Sequence, residues 1–159
     1  MTGNRYWRLD RHPEGNTNFA QALTLCEEEP AALQAGEVRI AVEWLSMDAG
    51  TRMWMSPRTD GYQPPLPLGS KMVGLVLGRV IESDDPGFPL GALVRGFGQW
   101  AEQAVVSPAL AGLECVDDTV SDLRQHFGAL GMNAWTAYVG VKEVARVKEG
   151  EWLAVSAAA

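Results

Sequence analysis

Between Arg5 and Val106 short apolar runs alternate with Gly, Pro and Asp clusters, the pattern of many brief strands joined by tight turns. The clearest run is 38–44, where Val38, Ile40, Val42 and Trp44 fall on one face and Arg39 and Glu43 on the other. Such alternation predicts a half-buried strand. Residues 19–26, 73–81, 93–97 and 100–106 are bounded by turn-forming residues and read as further strands. Gly74 and Gly78 predict bends or close backbone approach, as the corners of a small barrel require. Strands this short and this dense predict a closed or nearly closed β-barrel. The acidic run Glu27-Glu28-Glu29 reads as a solvated turn.

After Glu114 the period changes. Ser121-Asp122-Leu123 forms a helix start, and Leu123, Phe127 and Leu130 recur at helical spacing. Gly131-Met132-Asn133 interrupts that helix, and Asn133 is placed to cap a second one through Ala134, Thr136, Tyr138 and Val141. Beyond the turn Lys148-Glu149-Gly150, residues 152–159 read as a buried strand with no sheet of their own to join. The predicted class is mainly β with some α.

Composition narrows the partners. The 159 residues are enough for one well-buried core, and 47% apolar with 21% charged residues argues against disorder. With 13 basic against 20 acidic residues and a net charge of -7, neither nucleic acid nor an anionic membrane is an expected partner. No apolar run approaches the roughly 20 residues that span a bilayer, and the first seven residues lack a signal peptide's apolar segment. A cytoplasmic location is the expectation. Cys26 and Cys115 have no partner at metal-binding spacing, so buried free thiols are expected.

Several segments together resemble the medium-chain dehydrogenase/reductases, in the zinc-independent branch of prostaglandin and leukotriene reductases, curcumin reductase and alkenal double-bond reductases. They are Trp7-Arg8-Leu9 with Pro13 and Gly15, then Gly36-Glu37-Val38, then Leu45-Ser46-Met47-Asp48 with Arg52. Tyr62 with Pro64-Pro65 and Leu68-Gly69 comes next, then Gly128-Ala129-Leu130-Gly131-Met132 with Thr136-Ala137-Tyr138, and Gly150-Glu151 leading to Val155-Ser156-Ala157-Ala158-Ala159.

The resemblance implies a GroES-like β-barrel substrate domain over residues 1–120, succeeded in 121–159 by short helices and the first strand of a truncated Rossmann domain. The glycine-rich turn that normally holds the dinucleotide pyrophosphate would come next. NADPH is thus the implied cofactor, bound mainly by residues absent from this chain. The implied parent reduces the C=C bond of α,β-unsaturated aldehydes or ketones, and the chain alone is expected to be inactive. A quinone oxidoreductase and a non-catalytic GroES-like binding module remain the alternatives, so the small-molecule partner is an enal, enone or quinone. The intact protein is a candidate homodimer. Two departures stand out: Asp48-Ala49-Gly50-Thr51-Arg52 replaces the family's Asp-Pro-Tyr-Met-Arg, and Gly131-Met132-Asn133-Ala134-Trp135-Thr136 replaces Gly-Met-Pro-Gly-Leu-Thr. Trp135 would reshape the wall behind the nicotinamide.

Neither a catalytic nor a structural zinc set can be assembled from Cys26, Cys115, His12 and His126, and both histidines read as solvated or hydrogen-bonded. Reduction without metal needs hydride delivered to the β-carbon and donors for the charge that grows on the carbonyl oxygen. Tyr62, between Gly61 and Gln63-Pro64-Pro65, is the candidate catalytic and substrate-binding donor, with a packing tyrosine as the competing reading. Met132 and Thr136 resemble positions that line the nicotinamide, with helix packing as the competing reading, and Tyr138 reads as structural. Asp48 and Arg52, four apart, are substrate-side candidates or a local ion pair worth about 0.3–0.5 kcal/mol. Among Trp44, Trp54, Trp100, Trp135 and Trp152, core packing is expected for all but Trp54, which is the candidate for substrate contact.

Overall fold

The computed structural model describes residues 3–13, 21–58, 60–61 and 64–156, and the chain divides into two compact units, Met1–Asp118 and Thr119–Ala159. In the first unit β1 (Asn4–Leu9), β2 (Leu23–Glu28) and β3 (Val38–Leu45) precede a single helical turn, α1 (Thr51–Trp54). Then come β4 (Val73–Ser83), β5 (Leu93–Gln99), β6 (Gln103–Val106), the short α2 (Pro108–Ala111) and β7 (Glu114–Cys115).

All pairings are antiparallel. β1 and β2 form a ribbon, and the other strands form a sheet in the order β6-β3-β4-β5-β7. The ribbon is stitched to the sheet through the segments flanking β4 and β6. The Trp7 N–H donates to the Trp100 carbonyl at 2.9 Å, and the Met72 N–H donates to the Trp7 carbonyl at 2.8 Å. The strands thereby enclose two apolar clusters. One is Val38, Ile40, Val76, Val80, Val94, Ala104, Val106, Ala111 and Leu113; the other is Leu9, Ala22, Met55, Met72 and Trp100.

Of the residues predicted for the core face of β3, only those at its start are buried. Val38 and Ile40 are buried, but the register slips between Val42 and Trp44, where the strand gains a residue relative to β4. A bulge of this kind turns the side chains beyond it in a new direction, and Trp44 emerges 43% exposed. Arg39, expected on the solvent face, is buried: its Nε donates to the Glu82 carboxylate at 2.8 Å and an Nη to the Ala31 carbonyl at 2.5 Å. Burial is tolerated because the charge is paired and hydrogen-bonded.

Three local expectations are corrected. Glu27 and Glu28 lie in β2 rather than a turn, with Glu28 ion-paired to Lys71. The thiols are not buried: Cys115 sits exposed on the two-residue edge strand β7, and Cys26 is half-buried on the two-stranded ribbon. Trp135 and Trp152 are 67% and 100% exposed, so of the four tryptophans assigned to cores only Trp100 is buried.

In the second unit Leu123–Phe127 is a single 3-10 segment capped by Asp122, whose carboxylate accepts the Arg124 N–H at 3.0 Å. The neighbouring Arg124 guanidinium, hydrogen-bonded to that carboxylate, holds the Asp122 carboxyl below its ordinary range. Helix α3 (Met132–Tyr138) begins one residue before the expected cap, with Gly131 in the capping position, and continues in a wider π-type winding over Val139–Val144. Asn133 does not cap it; its amide instead donates to the Phe127 carbonyl at 3.5 Å. Residues 152–156 form no strand. An isolated strand leaves its N–H and C=O groups without ladder partners, and no described strand lies in register to supply them.

Candidate functional site

The site is made where β3 ends and the chain turns. The Ser46 N–H still donates to the Leu75 carbonyl at 2.9 Å, which fixes the end of β3 against β4. Ser46 Oγ then donates to the Asp48 carboxylate at 2.8 Å, while the Asp48 and Ala49 carbonyls accept the N–H groups of Thr51 and Arg52 at 3.0 and 3.2 Å. These bonds pin one short helical turn. Its three-to-four residue repeat carries Thr51 and Met55 inward and leaves Arg52 exposed.

Beside this turn opens a cavity of about 500 Å3 lined by Leu23, Met47, Asp48, Ala49, Thr51, Arg52, Met55 and Trp100. Its deep wall is Thr51, Met55 and Trp100, which are 7%, 2% and 7% exposed; its rim is Met47, Asp48, Ala49 and Arg52, all more open to solvent. Asp48 and Arg52 therefore share one cavity. A second, more polar cavity of about 570 Å3 adjoins Ala49 and Arg52 and is lined also by Pro13, Met53, Ser56, Arg58, Asp60 and Gly61. There Arg58 grips Asp60 through two hydrogen bonds of 2.9 and 2.8 Å, which hold the Asp60 carboxyl below its ordinary range.

The other sequence candidates take different places. Trp54 is packed edge-on against Phe97, ring centroids 6.0 Å apart, and its carbonyl accepts the Leu66 N–H at 2.8 Å; it is not among the residues lining either cavity. Tyr62 lies outside the described residues, as does Gln63, while Gly61 lines the second cavity. Met132 and Thr136 lie one turn apart on α3, where no residue is buried. Met132 is 66% exposed, so packing in the core of its unit is not its role. The Thr136 hydroxyl donates to the Met132 carbonyl at 2.9 Å and keeps its acceptor capacity.

Sequence reasoning missed Leu23, Met47, Thr51, Met55 and Trp100 as cavity walls. They come from three distant segments, and only strand pairing brings them together. Among the described residues no three His, Cys, Asp or Glu side chains gather to hold a metal ion, and no helix is long and apolar enough to cross a membrane. His12 Nδ1 lies 2.9 Å from the Met55 carbonyl, and His126 is buried.

Residues 5–114 match the family described as the N-terminal domain of oxidoreductase. The NADPH-dependent curcumin reductase of Escherichia coli (strain K12) is 34% identical over 155 residues, 98% of this chain and 44% of that protein. The 2-alkenal reductase (NADP(+)-dependent) of Nicotiana tabacum is 36% identical over 115 residues, 72% of this chain and 33% of that protein. CurA from Vibrio vulnificus matches in space with a TM-score of 0.80 at 25% identity, covering 93% of this chain and 42% of that one. The chain thus spans less than half the length of the relatives it matches. It belongs to the family of oxidoreductase N-terminal domains, with the sheet-rich GroES-like fold of the NADP-dependent medium-chain dehydrogenase/reductases.

Proposed function

We propose that this chain is the substrate-side part of a cytoplasmic, NADPH-dependent reductase that adds hydride to the C=C bond of an α,β-unsaturated aldehyde or ketone without zinc. The observation that carries the proposal is the cavity of about 500 Å3 beside α1, apolar at depth and bearing Asp48 and Arg52, side chains of opposite charge type, at its rim. That volume lies within the roughly 300–1,000 Å3 typical of small-molecule sites. Relatives named as curcumin and 2-alkenal reductases supply the reaction class.

In this scheme residues 1–120 form the substrate domain and 121–159 begin the cofactor domain, and the intact enzyme is a candidate dimer. NADPH, when bound, supplies hydride to the β-carbon. Met132 and Thr136 suit its nicotinamide end: a thioether and a hydroxyl with spare acceptor capacity stand one turn apart on an uncovered helix face. Asp48 and Arg52 shape the cavity mouth and contact substrate, and Trp54 braces α1 against Phe97. Tyr62 donates to the carbonyl oxygen as its negative charge develops, and water delivers the proton to the α-carbon. The zinc-free route is read from the donor set, since Cys26, Cys115, His12 and His126 supply neither the Cys and His ligands of the family's catalytic zinc nor the four cysteines of its structural one.

The protein expressed from its native reading frame should oxidise NADPH in the presence of a 2-alkenal, yield the saturated aldehyde and be insensitive to chelators. Turnover of quinones alone would make it a quinone oxidoreductase, and no turnover of either would leave a binding module. The 159-residue chain by itself should bind NADPH weakly or not at all; tight binding by calorimetric titration would contradict the assignment of most phosphate contacts to other residues.

A further inference from the structure

A single helical turn is too short to hold itself, because the first turn orders several residues for one hydrogen bond. α1 is such a turn, and Met55, at its C-terminal cap, is a wall residue only 2% exposed. Its end must therefore be held from outside, since the last carbonyls of a helix have no partner within it. Three successive carbonyls are taken up here. That of Met53 accepts the Ser56 N–H at 3.2 Å, that of Trp54 accepts the Leu66 N–H at 2.8 Å, and that of Met55 meets His12 Nδ1 at 2.9 Å. The third bond is made by a side chain, 43 residues back along the chain. The segment that carries His12 is itself anchored: the N–H groups of Asp10 and Arg11 both donate to the Ala22 carbonyl, at 2.9 and 3.4 Å. A half-buried imidazole thus ties the chain just beyond β1 to the end of α1. His12 is not among the residues lining either cavity, but its neighbour Pro13 lines the polar one and its partner Met55 the apolar one.

We infer that His12 is a positioning residue for substrate binding: its Nδ1–H holds the Met55 carbonyl and thereby fixes the Met55 thioether in the deep wall of the cavity beside α1. The direction of the bond is set by chemistry. A carbonyl oxygen can only accept, so Nδ1 carries the hydrogen, and in the neutral ring Nε2 is then the bare nitrogen. The consequence for binding is set by the side chain on the tethered residue. Methionine is unbranched and adaptable, and it keeps one shape only where its backbone and neighbours hold it. Leu9, Ala22, Met72 and Trp100 share its apolar cluster, but a cavity wall has nothing packed in front of it. Without the imidazole the end of α1 loses a tether, and the Met55 side chain drifts into or away from the space that substrate fills. Because His12 works through Met55 and not on the reacting atoms, its loss raises KM and leaves kcat. This inference rests on the reductase reading above.

The test uses the protein from its native reading frame with NADPH and benzylideneacetone. His12→Leu removes the donor; His12→Asn keeps one, since its amide nitrogen stands where Nδ1 does, bonded to Cγ. His12→Leu should raise KM about fivefold, the scale of one neutral hydrogen bond, with kcat nearly unchanged, and His12→Asn should return KM to the parent value. A parent-like KM in a folded His12→Leu protein would overturn the inference and leave the bond a purely structural one. So would a His12→Asn protein that behaves as His12→Leu, because the loss would then belong to the ring. Should His12→Leu fail to fold, the parent protein decides: nitrogen NMR of the neutral imidazole should find the hydrogen on Nδ1, and a ring protonated at Nε2 instead overturns the inference. Binding is read separately from turnover by the labelled methyl of Met47 at the rim. The benzylideneacetone concentration that half-shifts it should rise about fivefold in His12→Leu and return in His12→Asn. That result without turnover upholds His12 and sinks the reductase reading; turnover with KM and the Met47 titration both unchanged does the reverse.

Discussion

Replacing Gly78 with valine should lower the melting temperature of the strand-rich unit by about 12 °C, on the scale of about 4 °C per kcal/mol for a unit of this size. Gly78 pairs with Val42 on one side and Val94 on the other, beside the bulge in β3. A Cβ there would lie 2.1 Å from the Ala41 carbonyl oxygen and 2.9 Å from both Ala41 C and Ile40 Cγ2. The obstacle is backbone, which cannot rotate away, so relief requires β3 and β4 to part. That separation would open the cluster that holds Ile40, Val76 and Val80. Overpacking a core typically costs about 1–3 kcal/mol, and a clash with backbone belongs at the upper end. Gly140→Ala is the contrast, because an added Cβ there meets nothing within 4 Å, and a helical alanine should be neutral or slightly stabilising. Thermal unfolding monitored by circular dichroism checks both, and a Gly78→Val midpoint close to that of the parent would contradict the tight approach of β3 and β4.

Ala49→Trp should cut kcat/KM for a bulky aryl enone by about a hundredfold while leaving the melting temperature nearly unchanged, the usual scale when a reacting atom is displaced by roughly an ångström. Ala49 is exposed and lines both cavities, and what it gives the fold is its backbone carbonyl, which accepts the Arg52 N–H at 3.2 Å. A side chain can therefore be added without breaking the turn. The indole would project into the mouth through which substrate enters, in a chain that carries small Ala49 and Gly50 where the family pattern has Pro-Tyr. Steady-state kinetics with benzylideneacetone checks the expectation; a loss of less than about threefold in a well-folded variant, far short of the scale for a displaced reacting atom, would mean that substrate does not pass this mouth.

The strand-rich half was legible in the sequence because a period of two is a local signal. Val38 and Ile40 announced β3 and sit in the core. What the alternation could not announce was the slip between Val42 and Trp44, since a bulge is set by the partner strand and leaves no mark on composition. Arg39 misled for a similar reason: its burial depends on Glu82, 43 residues away, and on the Ala31 carbonyl. Asp48 and Arg52 were found through the resemblance and do share a cavity. Thr51 escaped notice because a place in a cavity wall is visible only when its surroundings are known. Trp100 was correctly read as a core residue, yet the same burial makes it a cavity wall. In the second unit, helical spacing located α3 but not its bare face, because periodicity reports an apolar stripe and not whether anything covers it.

The central claim, that substrate occupies the cavity beside α1, is tested most directly by methyl NMR. Met47 and Met55 line that cavity, whereas Met53 lines the neighbouring polar one. With methionine methyls labelled, titration with benzylideneacetone should move the Met47 and Met55 resonances and leave Met53 in place. Movement of Met53 with Met47 and Met55 stationary at saturating ligand would place the substrate elsewhere and contradict the account.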